Sequence, residues 1–530
     1  MLFANQMCGS SVGGAIARAC RGVVTVGVAS MLLAACGGGG GGSDASGGVG
    51  IPSGGGGGDG GCSNGGGNGG GSGGTTPTSN AKPVVYLADQ DTYQIDELYM
   101  TIPGSPGSTV KLNAPLVQGG WVDDFRIMPS GAAVVYTADQ NVLGRYELFM
   151  TNMANPGVST RLSAALSPNR DVIDFVLSAD GSKVAYRADT NADDVYELYL
   201  VEAAHPGTVV KLNGALAGGG YVRDGYAFSP DGAKVLYRAD ATTAGVLELY
   251  VVDVAAPGQP QKVNPALVAG GNVYGEFKWT PDGTRIVYVA DQQTDDKLEL
   301  FAVATATPGT ATKLNGAMIP EGDICNFEIA PNSQRVAYCA DQQTDGVIEL
   351  YTVAFDAPAQ STKLNPPLVA GGRVNSAYTF SSDSSFLIYT AEQDTAGVDE
   401  LYRVNIATPG ASTKLNPPLA AGGDVGMFTL RADDSRVGYM ATQDNPSVWE
   451  IFEVDLASPG TATKLSAPMN AEGAFWFEYT EGESRMVYLA DQESDTAELY
   501  EVAIATPRVA TKLNGALVSG GEVWEYEVIP

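Results

Sequence analysis

Carboxylates are the chain's main chemical resource. Acidic side chains number 60 against 30 basic ones, and the single histidine, His205, stands beside Pro206-Gly207 in turn-like surroundings. Paired carboxyl groups can do general acid–base work and can ligate hard cations without an imidazole. A lone histidine read as turn filler argues against a histidine-based triad, and one histidine is too few for a multi-histidine metal centre. Two sets of acids recur with a pattern. Asp124, Asp174, Glu276 and Glu525 each precede an aromatic residue, whereas Asp89, Asp139, Asp189, Asp240, Asp291, Asp341 and Asp491 each follow an alanine, with further acids four residues on at Asp295, Asp345 and Asp495. What these groups can do depends on the elements that hold them.

Residues 279–315 contain one whole unit of those elements. Thr280-Pro281-Asp282-Gly283 has turn chemistry: Pro pre-sets φ, Asp bonds to nearby backbone and Gly tolerates the exit geometry. Ile286 to Ala290 is a continuous β-favouring apolar run, as expected of a strand covered on both faces. A polar loop, a strand at 298–303, a Pro308-Gly309 turn and a short strand at 312–315 follow. The Glu-Leu-Tyr signature of the third strand recurs at Glu97, Glu147, Glu197, Glu248, Glu299, Glu349, Glu400, Glu450 and Glu498. The second-strand tyrosine keeps step at Tyr86, Tyr136, Tyr186, Tyr237, Tyr288, Tyr338, Tyr389, Tyr439 and Tyr488. Four strands repeated about every fifty residues indicate propeller blades.

The phase of the repeat adds a prediction. Residues 82–530 begin on a second strand and end on a first strand, so the last strand completes the first blade and closes the ring. The expectation is an all-β fold, a single closed β-propeller of about nine four-stranded blades. An unclosed ring, or eight blades with one unit displaced, are the alternatives.

This frame places the carboxylates. Phe277 and Trp279, Phe327 and Ile329, and Phe428 and Leu430 should pack between blades, so by strand alternation their neighbours line the channel. Asp124, Asp174, Glu276 and Glu525 then lie near its top, and Arg126, Lys278, Glu328, Thr379, Thr429, Glu478 and Glu527 lie lower. Such a lining suits a small cationic ligand or a metal, or is simply solvated. The acids after alanine fall in the loops of the rim, where the first aspartate is expected to accept backbone N–H bonds. The rim loops, with Asp89, Asp139, Asp291, Asp295, Asp341, Asp345 and Asp491, are the candidate partner-binding surface. Asp189-Thr190-Asn191-Ala192-Asp193 has the oxygen spacing of a calcium loop but lacks the central glycine, and Leu200 stands where the closing Glu belongs; whether a metal binds is left open. Cys325 and Cys339 flank a Pro-Asn-Ser-Gln turn almost symmetrically, which suits a disulfide outside the cytoplasm; two buried free thiols are the alternative.

Residues 1–35 read as an export signal, with Arg18 and Arg21 before an apolar run at 23–33 too short to span a bilayer. It ends in Leu33-Ala34-Ala35-Cys36, which resembles the lipobox of bacterial lipoproteins. That resemblance implies a lipid-modified Cys36 and, with Gly37 after it, an outer-membrane or cell-surface location. Residues 36–81 form a Gly/Ser-rich tether whose composition cannot bury a core, with Cys62 alone within it; a coil of this length spans roughly 35 to 40 Å.

The repeat itself has a likeness. Ser229-Pro230-Asp231-Gly232, the strand to Tyr237, and Leu247-Glu248-Leu249-Tyr250-Val251-Val252-Asp253 resemble the units of TolB-type propellers. Members of that family mostly bind proteins or small ligands at one end of the channel, and similar repeats accompany peptidase domains in prolyl-oligopeptidase-like enzymes. The resemblance implies a fold more than an activity; this chain has more repeats than TolB, and neither a preceding α/β domain nor a hydrolase domain follows the pattern.

These readings converge on a lipid-anchored envelope scaffold that binds a protein or polymer partner, monomeric, without a cofactor and with no assigned catalytic residue. The acidic balance argues against nucleic acid as a partner. A cation or metal receptor in the channel and a carboxylate-based hydrolase or lyase are the alternatives.

Overall fold

The computed structural model describes residues 82–529 apart from Asp193, Ala471 and Ser494. The expected signal segment and tether, with Cys36 and Cys62, lie outside the described residues. Nine four-stranded antiparallel sheets make up the fold, numbered here as blades 1 to 9 in chain order, each with strands one to four from the channel outwards. No helix among the described residues is long and apolar enough to cross a membrane.

The signature residues hold each blade together from within. Ile286 to Ala290 of blade 5 is wholly buried, and the strand-two tyrosine stacks on the strand-three aromatic in all nine blades at centroid separations of 5.5–5.7 Å. Such pairs add about 0.5–1.5 kcal/mol beyond their area. Glu299 pairs with Lys313 of strand four. Between them, the Leu300 N–H donates to Asn315 Oδ1 at 2.9 Å, and Asn315 Nδ2 donates to the Gly316 carbonyl at 3.1 Å. Glu-Leu-Tyr and Lys-Leu-Asn therefore recur together because they are two halves of one clasp. Ser163 and Ser466 take the asparagine's place in blades 2 and 8, accepting from Leu148 and Ile451 N–H at 3.2 and 3.1 Å.

Turns obey the same economy. Thr280 Oγ1 donates to Asp282 Oδ1 at 2.6 Å, the Thr284 N–H donates to the same oxygen at 3.0 Å, and Gly283 takes φ +68°. A left-handed residue there is what glycine supplies at least cost.

The ring is closed at nine. The strand Val523–Val528 pairs antiparallel with Val84–Ala88, placing Val84 opposite Val528 and Tyr86 opposite Tyr526. Nine apolar clusters lie among the described residues, one at each blade junction, and the one joining blades 9 and 1 brings Val487 and Leu489 against Val84, Tyr86 and Tyr526. Core is thus distributed between neighbours, which is how a chain of this size avoids needing one large interior. Because strand two of blade 1 runs from Val84 towards Asp89, the chain enters the ring on the face opposite the rim loops.

Candidate functional site: the loop rim and the channel

Each rim loop hangs on one brace. Asp139 accepts the Trp121 N–H at 2.6 Å and the Gly144 N–H at 2.9 Å. Asp341 does the same with Asp323 at 2.6 Å and Gly346 at 3.0 Å, and Asp291 with Asn272 and, at 3.2 Å, Asp296. Asp89 holds Glu522 and Gln94 N–H groups, and Asp491 holds Gly473 and Glu472. In blades 7 and 8, Glu392 and Thr442 substitute, on Gly397 at 2.7 Å and Asp424 at 2.8 Å. These bracing carboxylates are buried, so the surface of the rim is made by the tips. Asp295 and Asp345 are exposed there, as are Tyr93, Val142 and Leu143.

Asp291, Asp295 and Asp296 bring carboxylate oxygens within 4.8 Å of one another, but both oxygens of Asp291 already accept backbone N–H bonds. In the calcium-like loop of blade 3, Asp189 serves as brace, on Asp171 at 2.7 Å, and Asp193 lies outside the described residues. His205 is exposed and contacts Glu202 at 2.8 Å. Cys325 and Cys339 are joined within blade 6, their Cα atoms 5.5 Å apart.

Channel carboxylates are engaged by the ring itself. Asp124, Glu525 and Glu527 surround one guanidinium, Arg126, at 2.6, 3.5 and 3.6 Å. Burial, together with the Asp124 charge, pushes Glu525 up to about 8, with Arg126 opposing. Burial also pushes Glu527 up to about 7 and raises Asp124. The side chains keep 22%, 15% and 17% of their surface. Glu478, bonded by Trp476 Nε1 at 3.2 Å, is likewise lifted to about 7 by burial. On the far side, Lys278 contacts Glu328 at 3.1 Å and the Phe327 carbonyl at 2.8 Å, while Glu276, raised by burial, accepts the Phe327 N–H at 3.1 Å. Thr379 and Thr429 are half-buried on strand one of blades 7 and 8.

Two channel groups are not among the candidates read from the sequence. Arg187 and Arg238 extend from strand two of blades 3 and 4. Arg187 holds Asp174 through Nε at 2.9 and 3.0 Å and through Nη2, and Tyr226 adds a hydroxyl to the same carboxylate at 2.9 Å. The signal was present: a basic residue interrupts an otherwise apolar run in Lys-Val-Ala-Tyr-Arg-Ala and Lys-Val-Leu-Tyr-Arg-Ala. On the rim, Asp399 meets Asp424 and Glu392; burial and those two charges push it to about 7.

No protein-family model matches the chain, and no curated protein matches it. Solved structures do. Dipeptidyl peptidase 4 of Porphyromonas gingivalis is 15% identical, with TM-score 0.51 over 74% of this chain and 60% of that one. A putative TolB from Agrobacterium tumefaciens is 16% identical, with TM-score 0.30 over 45% of this chain and 78% of its own. Prolyl oligopeptidase B from Galerina marginata is 11% identical, with TM-score 0.42 over 71% and 56%. The chain spans about 60% of the peptidase's length, and at these identities the likeness is one of fold.

Proposed function

We propose that the protein is a lipid-anchored cell-envelope scaffold whose loop rim binds a protein or polymer partner. The observation that carries this reading is the contrast between brace and tip. Across the ring the loops are fixed by a buried oxygen on backbone N–H groups, while the exposed tips differ: Tyr93 in blade 1, Val142-Leu143 in blade 2, Asp295 in blade 5, Pro446 in blade 8. A rigid frame with variable tips costs little ordering entropy on binding, which is what a recognition surface needs.

Two further facts support it. The chain enters the ring opposite the rim, so a tether from Cys36 would leave the loops facing away from the membrane. The channel acids, by contrast, are occupied by Arg126, Arg187, Lys278 and backbone N–H groups, which favours the rim over the channel as the partner's surface.

The test is site-specific photo-crosslinking in intact cells of the source organism. A crosslinker at Tyr93 or Asp295 should give one discrete adduct, and one at Lys183, near the opposite face, should not. Absence of an adduct from every tip, or the same adducts from Lys183, would overturn the scaffold reading. Cys36→Ala should separately release the protein from the membrane fraction.

A further inference from the structure

Blades 4 and 5 break the repeat side by side. In most blades three steps separate the residue that opens strand one from its core aromatic, as from Val122 to Phe125. In blades 4, 5 and 7 there are four, from Val222 to Tyr226, Val273 to Phe277 and Val374 to Tyr378. Blade 4 departs furthest: after the Val222–Ala239 bridge, regular pairing resumes only at Ala227. In between, the Arg223 N–H returns to the Arg238 carbonyl at 2.8 Å, and Gly225 takes φ +83°. Bulges of this kind commonly re-aim side chains beside functional sites.

Arg238 lies beneath these two bulges. Its position in strand two belongs to Val289 in blade 5, Cys339 in blade 6 and Leu489 in blade 9, so a guanidinium has replaced a core side chain. It is 9% exposed. Nη1 donates to the Val273 carbonyl at 3.1 Å. Among the described residues Nη2 reaches only Asp224, at 3.5 Å, and the Asp224 side chain is 62% exposed. Nε, buried, has no hydrogen-bond partner among the described residues.

Arg187 spends Nε and Nη2 on Asp174 and Nη1 on the Val222 carbonyl at 2.9 Å. Arg238 therefore lacks what Arg187 has, a carboxylate across its Nε–Nη2 edge. Arg126 and Arg187 are held above the usual arginine range by the acids around them. Arg238 is pushed below it by burial, with Asp224 opposing and the charges of Arg223 and Arg187 adding to the fall. Its charge is thus under-compensated in an otherwise acid-rich channel. Access comes from glycine: Gly275 is exposed, and a Cβ there would stand 3.9 Å from Arg238 Nη2 with nothing nearer.

We propose that the junction of blades 3, 4 and 5 binds a small carboxylate- or phosphate-bearing ligand, seated on the Nε–Nη2 edge of Arg238 after Asp224 swings aside. That edge is the part of a guanidinium that grips a planar or tetrahedral oxyanion by two parallel bonds. Asp224 is a placeholder, bonded at the limit of hydrogen-bond length and free to turn into solvent. Arg223, stacked 3.7 Å above the Tyr221 ring, lends a second positive charge. The site does not use the loop tips, although Arg223 also comes within 4.0 Å of Asp240, the rim brace of blade 4.

Calorimetric titration of the full chain with inorganic phosphate and with succinate, at constant ionic strength, tests it. One or both should saturate, and which one does so identifies the ligand's head group. Asp224→Asn, at an exposed position, should tighten binding by about two- to fivefold, the scale of one freed exposed ion pair. Arg238→Gln should abolish it. Gly275→Ile, which covers the edge while leaving every charge in place, should weaken it at least tenfold and keeps the test decisive if Arg238→Gln does not fold. Failure of both anions to saturate the wild type and Asp224→Asn would overturn the proposal. So would binding that Gly275→Ile leaves unchanged, or an Asp224→Asn variant no tighter than wild type.

Discussion

Glu527 Oε2 accepts the Ile127 N–H at 2.7 Å, so the last inner strand of the chain caps the unpaired edge of the inner strand beside it. Glu478 does the same for Val528, and Glu276 for Phe327. Strand one of every propeller blade leaves an edge towards the channel, and an edge without acceptors is costly where water is scarce. The channel acids of blades 9, 1 and 5 reach across to that edge.

The buried channel acids make the ring sensitive to alkali. Glu525, Glu527 and Glu478 titrate near 7 to 8 in the folded ring and near 4.5 once unfolded. Between these values the folded state holds protons that the unfolded chain has released, so stability falls as pH rises. Urea midpoints should be higher at pH 5.5 than at pH 8.5, and Glu527→Gln should flatten the difference. A midpoint that rises across this window would count against the assignment.

The clasp within each blade has a measurable strength. Asn315 is fully buried, and Asn315→Ala would strand the Leu300 N–H without its acceptor, costing about 1–3 kcal/mol. Asn315→Ser should cost less, because serine already fills this place in blades 2 and 8. Equilibrium unfolding of the two variants gives the comparison; equal losses would show that the acceptor is not what matters.

Brace and tip should separate cleanly in blade 5. Asp291→Ala removes the acceptor of two backbone N–H groups, and hydrogen exchange should quicken at Asn272 and Asp296 while the other blades stay protected. Asp295→Ala, at an exposed tip, should leave stability within about 0.5 kcal/mol and act only on the partner. If both variants loosen the loop alike, the division of labour fails.

Much of the architecture was legible because its determinants are local and repeated. Tyr288 and Glu299 recur at fixed spacing, and each repeat satisfies its own strand, turn and clasp before it meets a neighbour. The closure of the ring was readable from phase alone, since a series of repeats that opens on strand two must find its strand one elsewhere. Channel residues such as Asp124 and Glu276 followed from alternation. Their partners did not, because Arg126 gathers acids from two blades and Glu527 reaches a backbone group in the next. Arg238 was hidden differently: it occupies a position that the repeat assigns to the core, and its meaning depends on an extra residue in strand one of blades 4 and 5, which shows in the sequence only as one added step between successive signatures, from Glu197 to Glu248 and from Glu248 to Glu299.

The pairing of Val84 with Val528 also sets an order of events in time. Strand two of the first blade is made first, yet the strand that covers its inner edge is made last, after eight other blades. Until it arrives, the domain is an open arc with a bare, apolar leading edge, and long-range closure of this kind is slow. The domain's vulnerability to aggregation and proteolysis is therefore concentrated in the interval before its final strand docks, and a lesion in 523–528 should be felt at 84–88.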